Sequence, residues 1–317
     1  MSRILFELFE TVSCMTLNFA LCTDENFVIP SLVCITSIFE NNIDEECHVY
    51  ILTEGLSKAA YLKFEELATI YRQRIIVKTI NSNQFKGLIE YGRFPLSMYF
   101  RFLLPQELNQ CDTVLYLDCD VIVRHSLKQV YQTDLNGYAC AVVADQNSDD
   151  VLLQNRVKIS SQYFNSGVML INLNYWRIHK IANILIQYIK EHPHKCVFPD
   201  QDALNIVLEN KVVYLDYTYN LQELWLTERN DVKFHFSKWT ELDKACIDPV
   251  IVHYCVINKP WFVECVNPFK KDFLLYASKH RFIGFKIRKR RSIRYYLYKK
   301  IILFRNHLFG LIHKFYG

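Results

Sequence analysis

The stretch TVLYLDCDVIV, residues 113–123, guides the interpretation of the whole chain. Its first half, Thr113–Leu117, is apolar and predicts a buried strand, and two carboxylates, Asp118 and Asp120, follow directly. Burying an unpaired carboxylate is very costly, and two like charges this close increase that cost, so we expect a cation between them. Hard divalent ions such as Mn2+ and Mg2+ prefer oxygen ligands and often bind phosphate groups as well. The motif therefore predicts a metal and phosphate site.

A plain turn is the alternative interpretation of the same motif. In that case the strand ends at Asp118, and Asp120 is a solvated turn residue. The triplet alone does not decide between the two, because two aspartates separated by one residue are common in chains of this length. The β-branched run Val121–Val123 favours the buried interpretation, since it indicates that the chain continues through the core.

Hydrophobic periodicity predicts alternating strands and helices before this motif. The predicted strands are 17–22, 48–52 and 75–80, and the predicted helices are 29–39, 57–71 with Ser57 as its cap, and 95–108. Such alternation is typical of a parallel sheet, whose strands bind ligands at their C-terminal ends. The carboxylate pair and the residues Asp24 and Asn26, which follow the first strand, are therefore expected at one edge.

Two polar clusters in the second half begin a strand and a helix. YFNSGVMLIN, residues 163–172, places Asn165, Ser166 and Gly167 before an apolar strand, where a ligand can approach the backbone closely. An ordinary turn into a strand explains this segment equally well. PDQD, residues 199–202, opens a helix over 203–208, and acids in a first helical turn usually complement the helix dipole rather than act in catalysis.

A third cluster, HYCVINKPW, spans residues 253–261 and follows a predicted strand over 250–252. His253 is a candidate metal ligand, although a lone histidine is more often structural. Lys259 supplies a cation that can neutralise a phosphate group.

Composition indicates one main domain with a C-terminal appendage. The 317 residues are 51% hydrophobic, which is enough for a large core, and no repeat or low-complexity linker divides them. Residues 1–14 carry Glu7 and Glu10 where a signal peptide needs an uncharged core, so a cytoplasmic protein is expected. The 11 cysteines lack a CxxC pair and fit buried, reduced thiols better than a disulfide scaffold or a zinc site.

Charge is distributed unevenly along the chain. All 33 acidic residues lie at or before Asp272, which leaves residues 1–272 with a net charge of −8, whereas residues 273–317 carry 12 Lys and Arg residues. A dense basic cluster over 286–294 precedes apolar residues spaced by three and four over 297–315, as on one face of a helix. This pattern predicts a basic amphipathic region, 273–317, on an anionic membrane surface.

Two other interpretations of the basic region remain open: a helix that docks on the protein body or a partner, and a nucleic-acid contact. No nucleic-acid recognition motif accompanies the charge, so we expect no nucleic-acid partner. Arg305, His307 and His313 interrupt the apolar run well short of the roughly 20 residues that a spanning helix needs.

Taken together, the ordered motifs resemble glycosyltransferase family 8, over about residues 16–269. The resemblance rests on Asp24 and Asn26, Arg101 within YFRFLLP, Asp118-Cys119-Asp120, YFNSG at 163–167, PDQD at 199–202 and His253 followed by Lys259-Pro260-Trp261. It is strongest for the lipopolysaccharide core glucosyltransferases and galactosyltransferases. It implies an α/β fold of the GT-A type, a Rossmann-like mixed sheet flanked by helices, over residues 1–272. It also implies a retaining enzyme that moves glucose or galactose from a UDP-sugar to a lipid-linked oligosaccharide, on the cytosolic face of the bacterial inner membrane.

The resemblance assigns roles by matching positions. Asp118, Asp120 and His253 are implied to bind Mn2+ or Mg2+, which bridges the two phosphates of the donor. The implied donor-binding residues are Cys22, Asp24, Asn26, Arg101, Cys119, Asn165, Ser166, Asp200 and Lys259, in addition to the metal ligands.

Catalysis is implied for Gln201, Asp200 and Asn165. Gln201 occupies the face where a nucleophile would stand, and a neutral amide is a poor nucleophile. We therefore expect UDP to leave from the same face that the acceptor hydroxyl attacks.

One position departs from the family pattern. Val256 stands where the family usually has a glycine, and a β-branched residue adopts positive φ only at a cost. This motivates a second hypothesis, in which the chain is a catalytically weak relative that binds saccharides or a partner. The sequence does not distinguish glucose from galactose as the donor sugar, nor does it identify the acceptor or the linkage.

Overall fold

A seven-stranded sheet forms the centre of the fold, with a three-stranded sheet beside it. The structure is a computed structural model that describes residues 15–88, 95–227, 238–255, 257 and 259–289. Val256 and the tail helix predicted over 297–315 lie outside these residues.

The strands and helices follow the predicted order. The strands are β1 (Thr16–Cys22), β2 (Glu46–Thr53), β3 (Arg74–Thr79), β4 (Thr113–Leu117), β5 (Val121–Val123), β6 (Cys140–Ala144), β7 (Phe164–Asn172), β8 (Val212–Tyr214), β9 (Leu221–Gln222) and β10 (Ile251–His253). The α-helices are α1 (Val28–Asn41), α2 (Lys58–Tyr71), α3 (Leu104–Glu107), α4 (Val151–Val157), α5 (Leu173–Ile178), α6 (Ile181–Glu191), α7 (Pro199–Val207), α8 (Glu223–Thr227), α9 (Trp239–Ile247) and α10 (Lys270–Lys279).

The large sheet has the order β3-β2-β1-β4-β7-β6-β8 and is mixed. Strands β1 to β4 are parallel, as the alternation predicts, but β7 runs antiparallel to both β4 and β6. The N-terminal end of β7 therefore meets the C-terminal ends of β1, β4 and β6 at one edge. In the small sheet, β10 pairs antiparallel with β5 and parallel with β9. This arrangement brings the residues after β4 next to the end of β10.

Two apolar layers cover the faces of the large sheet. Side chains alternate along a strand, so Leu115 and Leu117 of β4 pack on one face and Val114 and Tyr116 on the other. Helices α1, α2 and α10 cover the first face, and α3, α5, α6 and α7 cover the second. The sheet edge that carries the polar motifs is thus held from both sides.

The local sequence explains how two of the elements begin. Ser57 caps α2, as predicted, because its Oγ accepts a hydrogen bond from the backbone N–H of Ala60. The helix predicted over 95–108 is instead a 3-10 helix, Leu96–Leu103, followed by α3. In a continuous α-helix the ring of Pro105 would clash with the carbonyl group of Arg101, which explains the change at this point.

Three other predicted boundaries shift. Strand β7 begins at Phe164 rather than after Gly167, so the amide and the glycine lie within the strand. Strand β10 ends at His253 itself, and α7 begins at Pro199, whose missing N–H is tolerated in a first helical turn. In each case the element is of the predicted type.

The chain after α9 folds back over the body. Phe273 and Ala277 of α10 are buried in the first apolar layer, and Ile283 is buried beside them. The backbone of Arg288 pairs with Trp261 and Val263 through hydrogen bonds of 2.8 Å each. Among the described residues, no helix is long and apolar enough to cross a bilayer.

Candidate active site

A cleft of about 1090 Å³ opens at the polar edge of the sheet. It brings together all thirteen predicted site residues: Cys22, Asp24, Asn26, Arg101, Asp118, Cys119, Asp120, Asn165, Ser166, Asp200, Gln201, His253 and Lys259. These residues come from six separate segments of the chain, so the fold alone makes them neighbours.

Asp118, Asp120 and His253 form a candidate metal site, named here the metal cluster, in which one ligand atom from each residue lies within 4.8 Å of the others. Nε2 of His253 lies 3.2 Å from Oδ1 of Asp120 and 3.8 Å from Oδ2 of Asp118. The backbone holds this arrangement, because the N–H of Asp118 donates to Gly167 and the N–H of Tyr254 donates to Asp120. Two carboxylates and one imidazole nitrogen are a suitable donor set for a divalent ion.

Gly167 closes one side of the metal cluster. A β-bulge in β7, where Val142 pairs with Met169 and Val143 pairs with Asn165, brings the glycine against the cluster. A Cβ atom at this position would lie 2.3 Å from Cε1 of His253 and 2.7 Å from Oδ2 of Asp118. Only glycine leaves the three ligands in place. This close fit supports a small bound ion rather than a larger group within the cluster.

Two cations, the buried Arg101 and the half-buried Lys259, neutralise the metal cluster. The guanidinium group of Arg101 donates to Oδ1 of Asp118 over 3.0 Å and lies 3.3 Å from Oδ2 of Asp200. The ammonium group of Lys259 donates to Oδ2 of Asp120 and to the carbonyl group of Tyr254. Burial alone would raise the pKa of Asp120, but the charges of Lys259 and His253 outweigh burial and hold that pKa well below its usual range.

Beside the metal cluster, a hydrogen-bonded network is formed by Asp145, Asn165, Ser166, Asp200 and Gln201. We name it the sugar-side network, after the donor-binding role that the resemblance implies for Asn165, Ser166 and Asp200. Oε1 of Gln201 accepts hydrogen bonds from the backbone N–H of Ser166 at 3.0 Å and from Nδ2 of Asn165 at 3.3 Å. Nε2 of Gln201 donates to Oδ2 of Asp145 over 3.2 Å. Since the Gln201 oxygen already accepts from two donors, it is poorly suited to attack a sugar carbon.

The two acids at the start of α7 have different surroundings. Asp202 is fully buried, accepts from the backbone N–H of Phe198 and the hydroxyl group of Tyr163, and pairs with Arg156. It therefore has the structural role that acids in a first helical turn usually have. Asp200 instead lines the cleft beside Arg101, and burial raises its pKa although the guanidinium group lowers it in part.

Cys22, Asp24, Asn26 and Cys119 lie at the end of the cleft next to α1. Asp24 caps a short 3-10 turn by accepting from the backbone N–H groups of Asn26 and Phe27. The thiol of Cys119 donates to the carbonyl group of Cys22 over 3.2 Å, and burial raises the pKa of Cys119 to about 12. Burial raises the pKa of Cys22 as well, so both thiols are neutral groups in the wall of the cleft. The ten cysteines within the described part of the chain carry thiol groups rather than disulfides, as their distribution predicts.

Sequence reasoning missed Asp145, Asn220 and Tyr116. Asp145 directly follows β6 at the polar edge, as Asp118 follows β4, so the same strand-end rule would have found it. Tyr116 donates to Oδ1 of Asp118 over 2.7 Å, and its ring lies 4.2 Å from the guanidinium carbon of Arg101. Asn220 lies in a 3-10 turn and gives no signal in the sequence.

Comparison with known proteins identifies the family. The sequence model of Glycosyl transferase family 8 matches residues 18–265, which is more than three quarters of the chain. Lipopolysaccharide 1,2-glucosyltransferase of Escherichia coli is 29% identical over 252 residues, covering 78% of this chain and 73% of that protein. Lipopolysaccharide 1,3-galactosyltransferase of Salmonella typhimurium is 27% identical over 300 residues, covering 84% and 85%. General stress protein A of Bacillus subtilis is 26% identical over 262 residues, covering 81% and 91%.

A solved structure confirms the predicted fold class. The galactosyltransferase LgtC, in complex with donor and acceptor sugar analogues, superimposes with a TM-score of 0.75 at 24% identity. The alignment covers 82% of this chain and 95% of that one, so the GT-A fold extends over most of the chain. Together with the family match, this confirms the resemblance inferred from the motifs: the chain belongs to glycosyl transferase family 8.

Proposed function

We propose that this glycosyltransferase moves glucose or galactose from a UDP-sugar to a lipid-linked oligosaccharide, with retention of the anomeric configuration. The observation that carries the proposal is the position of the metal cluster directly beside the sugar-side network in one cleft. A diphosphate needs concentrated positive charge, and a hexose needs several fixed hydrogen-bonding groups. The cleft provides both next to each other.

The metal cluster suits Mn2+ better than Mg2+, because Mg2+ is usually held by carboxylates, waters and phosphates, whereas His253 adds a nitrogen ligand. When bound, the ion would neutralise the diphosphate and stabilise UDP as a leaving group. Lys259 is placed to exchange its hydrogen bond with Asp120 for one with a phosphate oxygen. Arg101 keeps Asp118 and Asp200 in position from the opposite side.

Asn165 and Asp200 are proposed to bind the hydroxyl groups of the sugar, with Ser166 supporting Asp200 through its Oγ, 3.2 Å from Oδ2. Gln201 would not act as a nucleophile, because its oxygen already accepts from Ser166 and Asn165. This favours departure of UDP and attack of the acceptor hydroxyl on the same face, with the amide and carboxylate oxygens stabilising the positive charge at the anomeric carbon. Asp24 and Asn26 are proposed to bind the uridine.

The acceptor substrate is inferred from the relatives, and the cellular location of the protein is inferred from the basic region 273–317. Two of the relatives are named as lipopolysaccharide glucosyltransferase and galactosyltransferase, so we propose a glycolipid acceptor for this chain as well. The protein would work in the cytoplasm as a peripheral protein on the inner membrane, with residues 1–272 as catalytic domain and 273–317 as membrane-associated region. Because α10 packs on the body, membrane contact would fall to the basic residues from Lys286 onward.

Hydrolysis of UDP-glucose and UDP-galactose tests the proposal, measured with and without Mn2+ in the wild type and in Asp120→Asn. We expect Mn2+-dependent hydrolysis that the substitution reduces by about two orders of magnitude or more, since it removes a charged ligand. Asp112→Asn is the matched control, because Asp112 is exposed just before β4, at the opposite end of the same strand from Asp118. It should retain full activity.

A thermal-shift screen of the two donors with Mn2+ then identifies the sugar, because the donor that binds more tightly stabilises the folded state more. A folded wild type that binds a donor but hydrolyses neither UDP-sugar would contradict the enzymatic proposal. That result would favour the saccharide-binding alternative that Val256 motivates.

A further inference from the structure

Asn220 lies between the metal cluster and the sugar-side network. Its side chain is fully buried, and it ends the 3-10 turn Tyr217–Asn220 just before β9. Strand β9 runs parallel to β10 with Gln222 paired to His253, so the backbone holds Asn220 near the histidine. Its Oδ1 is 3.1 Å from Nδ1 of His253, and its Nδ2 is 3.0 Å from Oδ1 of Asn165. A single amide therefore contacts both parts of the site.

The direction of these hydrogen bonds follows from a backbone group. The N–H of Gly167 can only donate, and it donates to Asn165 over 3.0 Å, so the Asn165 atom that faces it is the oxygen. The same oxygen faces Asn220, which must therefore present its NH2 group. The Asn220 oxygen therefore faces His253. Since an amide oxygen can only accept, Nδ1 of His253 must carry the hydrogen of this bond.

We propose that Asn220 is a positioning residue that fixes the tautomer and ring orientation of His253. With Nδ1 committed to Asn220, Nε2 is the ring nitrogen that faces Asp118 and Asp120 and is left to bind a metal ion. The second hydrogen bond of Asn220 ties the same ring to Asn165. This inference rests on the metal-dependent function proposed above and extends it to a residue outside the metal cluster and the sugar-side network.

The first test uses the wild-type protein without metal. Nitrogen-15 NMR of the histidine rings at pH 8.5, with the His253 signals assigned by their loss in His253→Gln, reports which nitrogen carries the hydrogen. We expect a hydrogen on Nδ1, whether or not Nε2 also donates one to Asp120. A hydrogen confined to Nε2 would overturn the proposal, and this result does not depend on whether the protein is an active transferase.

The second test measures Mn2+ affinity by electron paramagnetic resonance in Asn220→Leu and Asn220→Asp. The leucine variant removes both hydrogen bonds, and we expect about 10- to 100-fold weaker Mn2+ binding, as is usual when the partner of a ligating histidine is removed. The aspartate variant keeps an acceptor for His253 but loses the donor to Asn165. It should bind Mn2+ at least as tightly as the wild type while its KM for the UDP-sugar rises.

Asn42→Leu is the matched control. Asn42 is also a buried asparagine whose oxygen and nitrogen both form hydrogen bonds, with Leu127 and Ile38, but it lies at the end of α1. This variant should lose stability and keep its Mn2+ affinity. A folded Asn220→Leu with unchanged Mn2+ affinity would overturn the positioning role, whereas absence of Mn2+ binding in the wild type would count against the proposed function instead.

Discussion

The ammonium group of Lys259 donates a hydrogen bond to Asp120, on the opposite carboxylate oxygen from the one that faces His253. If the proposed metal ion binds, Lys259 would compete with it for Asp120 until a phosphate group accepts from the lysine instead.

This competition predicts opposite effects of Lys259→Met on metal and donor binding. Without UDP, Mn2+ should bind more tightly than to the wild type, because a competing positive charge has been removed. UDP should bind about 10- to 100-fold more weakly in the presence of Mn2+, as expected for the loss of one charge-assisted hydrogen bond. Isothermal titration calorimetry measures both effects: Mn2+ is titrated into the protein without UDP, and UDP is titrated into the protein saturated with Mn2+. Lys259→Arg serves as the control that keeps the charge, and weaker Mn2+ binding to Lys259→Met would contradict the competition.

Gly167→Ala should disable the metal cluster. The added methyl group would overlap the ring of His253 and the carboxylate of Asp118, so one of these ligands must move. We expect loss of measurable Mn2+ binding and a decrease of ~1–3 kcal/mol in the free energy of unfolding. Gly137→Ala is a suitable control, because Gly137 has positive φ but open space around it, so that variant should lose stability while its Mn2+ affinity stays unchanged. Equal Mn2+ affinity in the wild type and Gly167→Ala would show that the ligands do not depend on this close contact.

The buried carboxylate of Asp145 should make stability depend on pH. Burial raises the pKa of Asp145, and hydrogen bonds from Asn147, Asn165 and Gln201 only partly offset this effect. The folded state therefore binds this proton more tightly than the unfolded state, and the associated stability is lost as the pH rises above the unfolded pKa of about 3.9. The stability of the wild type relative to Asp145→Asn should decrease between pH 4 and pH 7. Urea unfolding in EDTA across this range checks the slope, and a difference that grows with pH would rule out a raised pKa.

Removal of residues 290–317 should separate membrane binding from catalysis. This deletion keeps the hydrogen bonds between Arg288 and the segment around Trp261, which a longer deletion would break. We expect sedimentation with anionic vesicles to fall steeply, because the deletion removes seven basic residues and electrostatic attraction contributes about 1 kcal/mol per basic residue near the surface. UDP affinity should remain unchanged. Replacing Arg290, Arg291 and Arg294 by glutamine in the full chain tests the charge alone, and sedimentation that survives both changes would refute the membrane role.

Local chemistry explains what the sequence predicted correctly. The Ser57 cap and the burial of the Asp118 and Asp120 segment depend on short-range patterns, which the sequence displays directly. The reversed direction of β7 could not be predicted, because strand direction depends on which neighbours pair and not on the residues within the strand. Asn220 was missed for a similar reason, since its role comes from β9 lying next to β10.

The metal cluster also determines how late in folding the site is completed. Lys259 lies 139 residues after Asp120, and His253 meets the carboxylates only when β10 pairs with β5. Such distant contacts form slowly and late in folding, because a long loop must close before they can contribute stability. During synthesis, a chain on the ribosome would expose its two carboxylates without their histidine and lysine until nearly the whole domain has emerged. The proposed binding of a nucleotide sugar would thus begin only with the completed domain, and a chain released early would not bind the proposed donor.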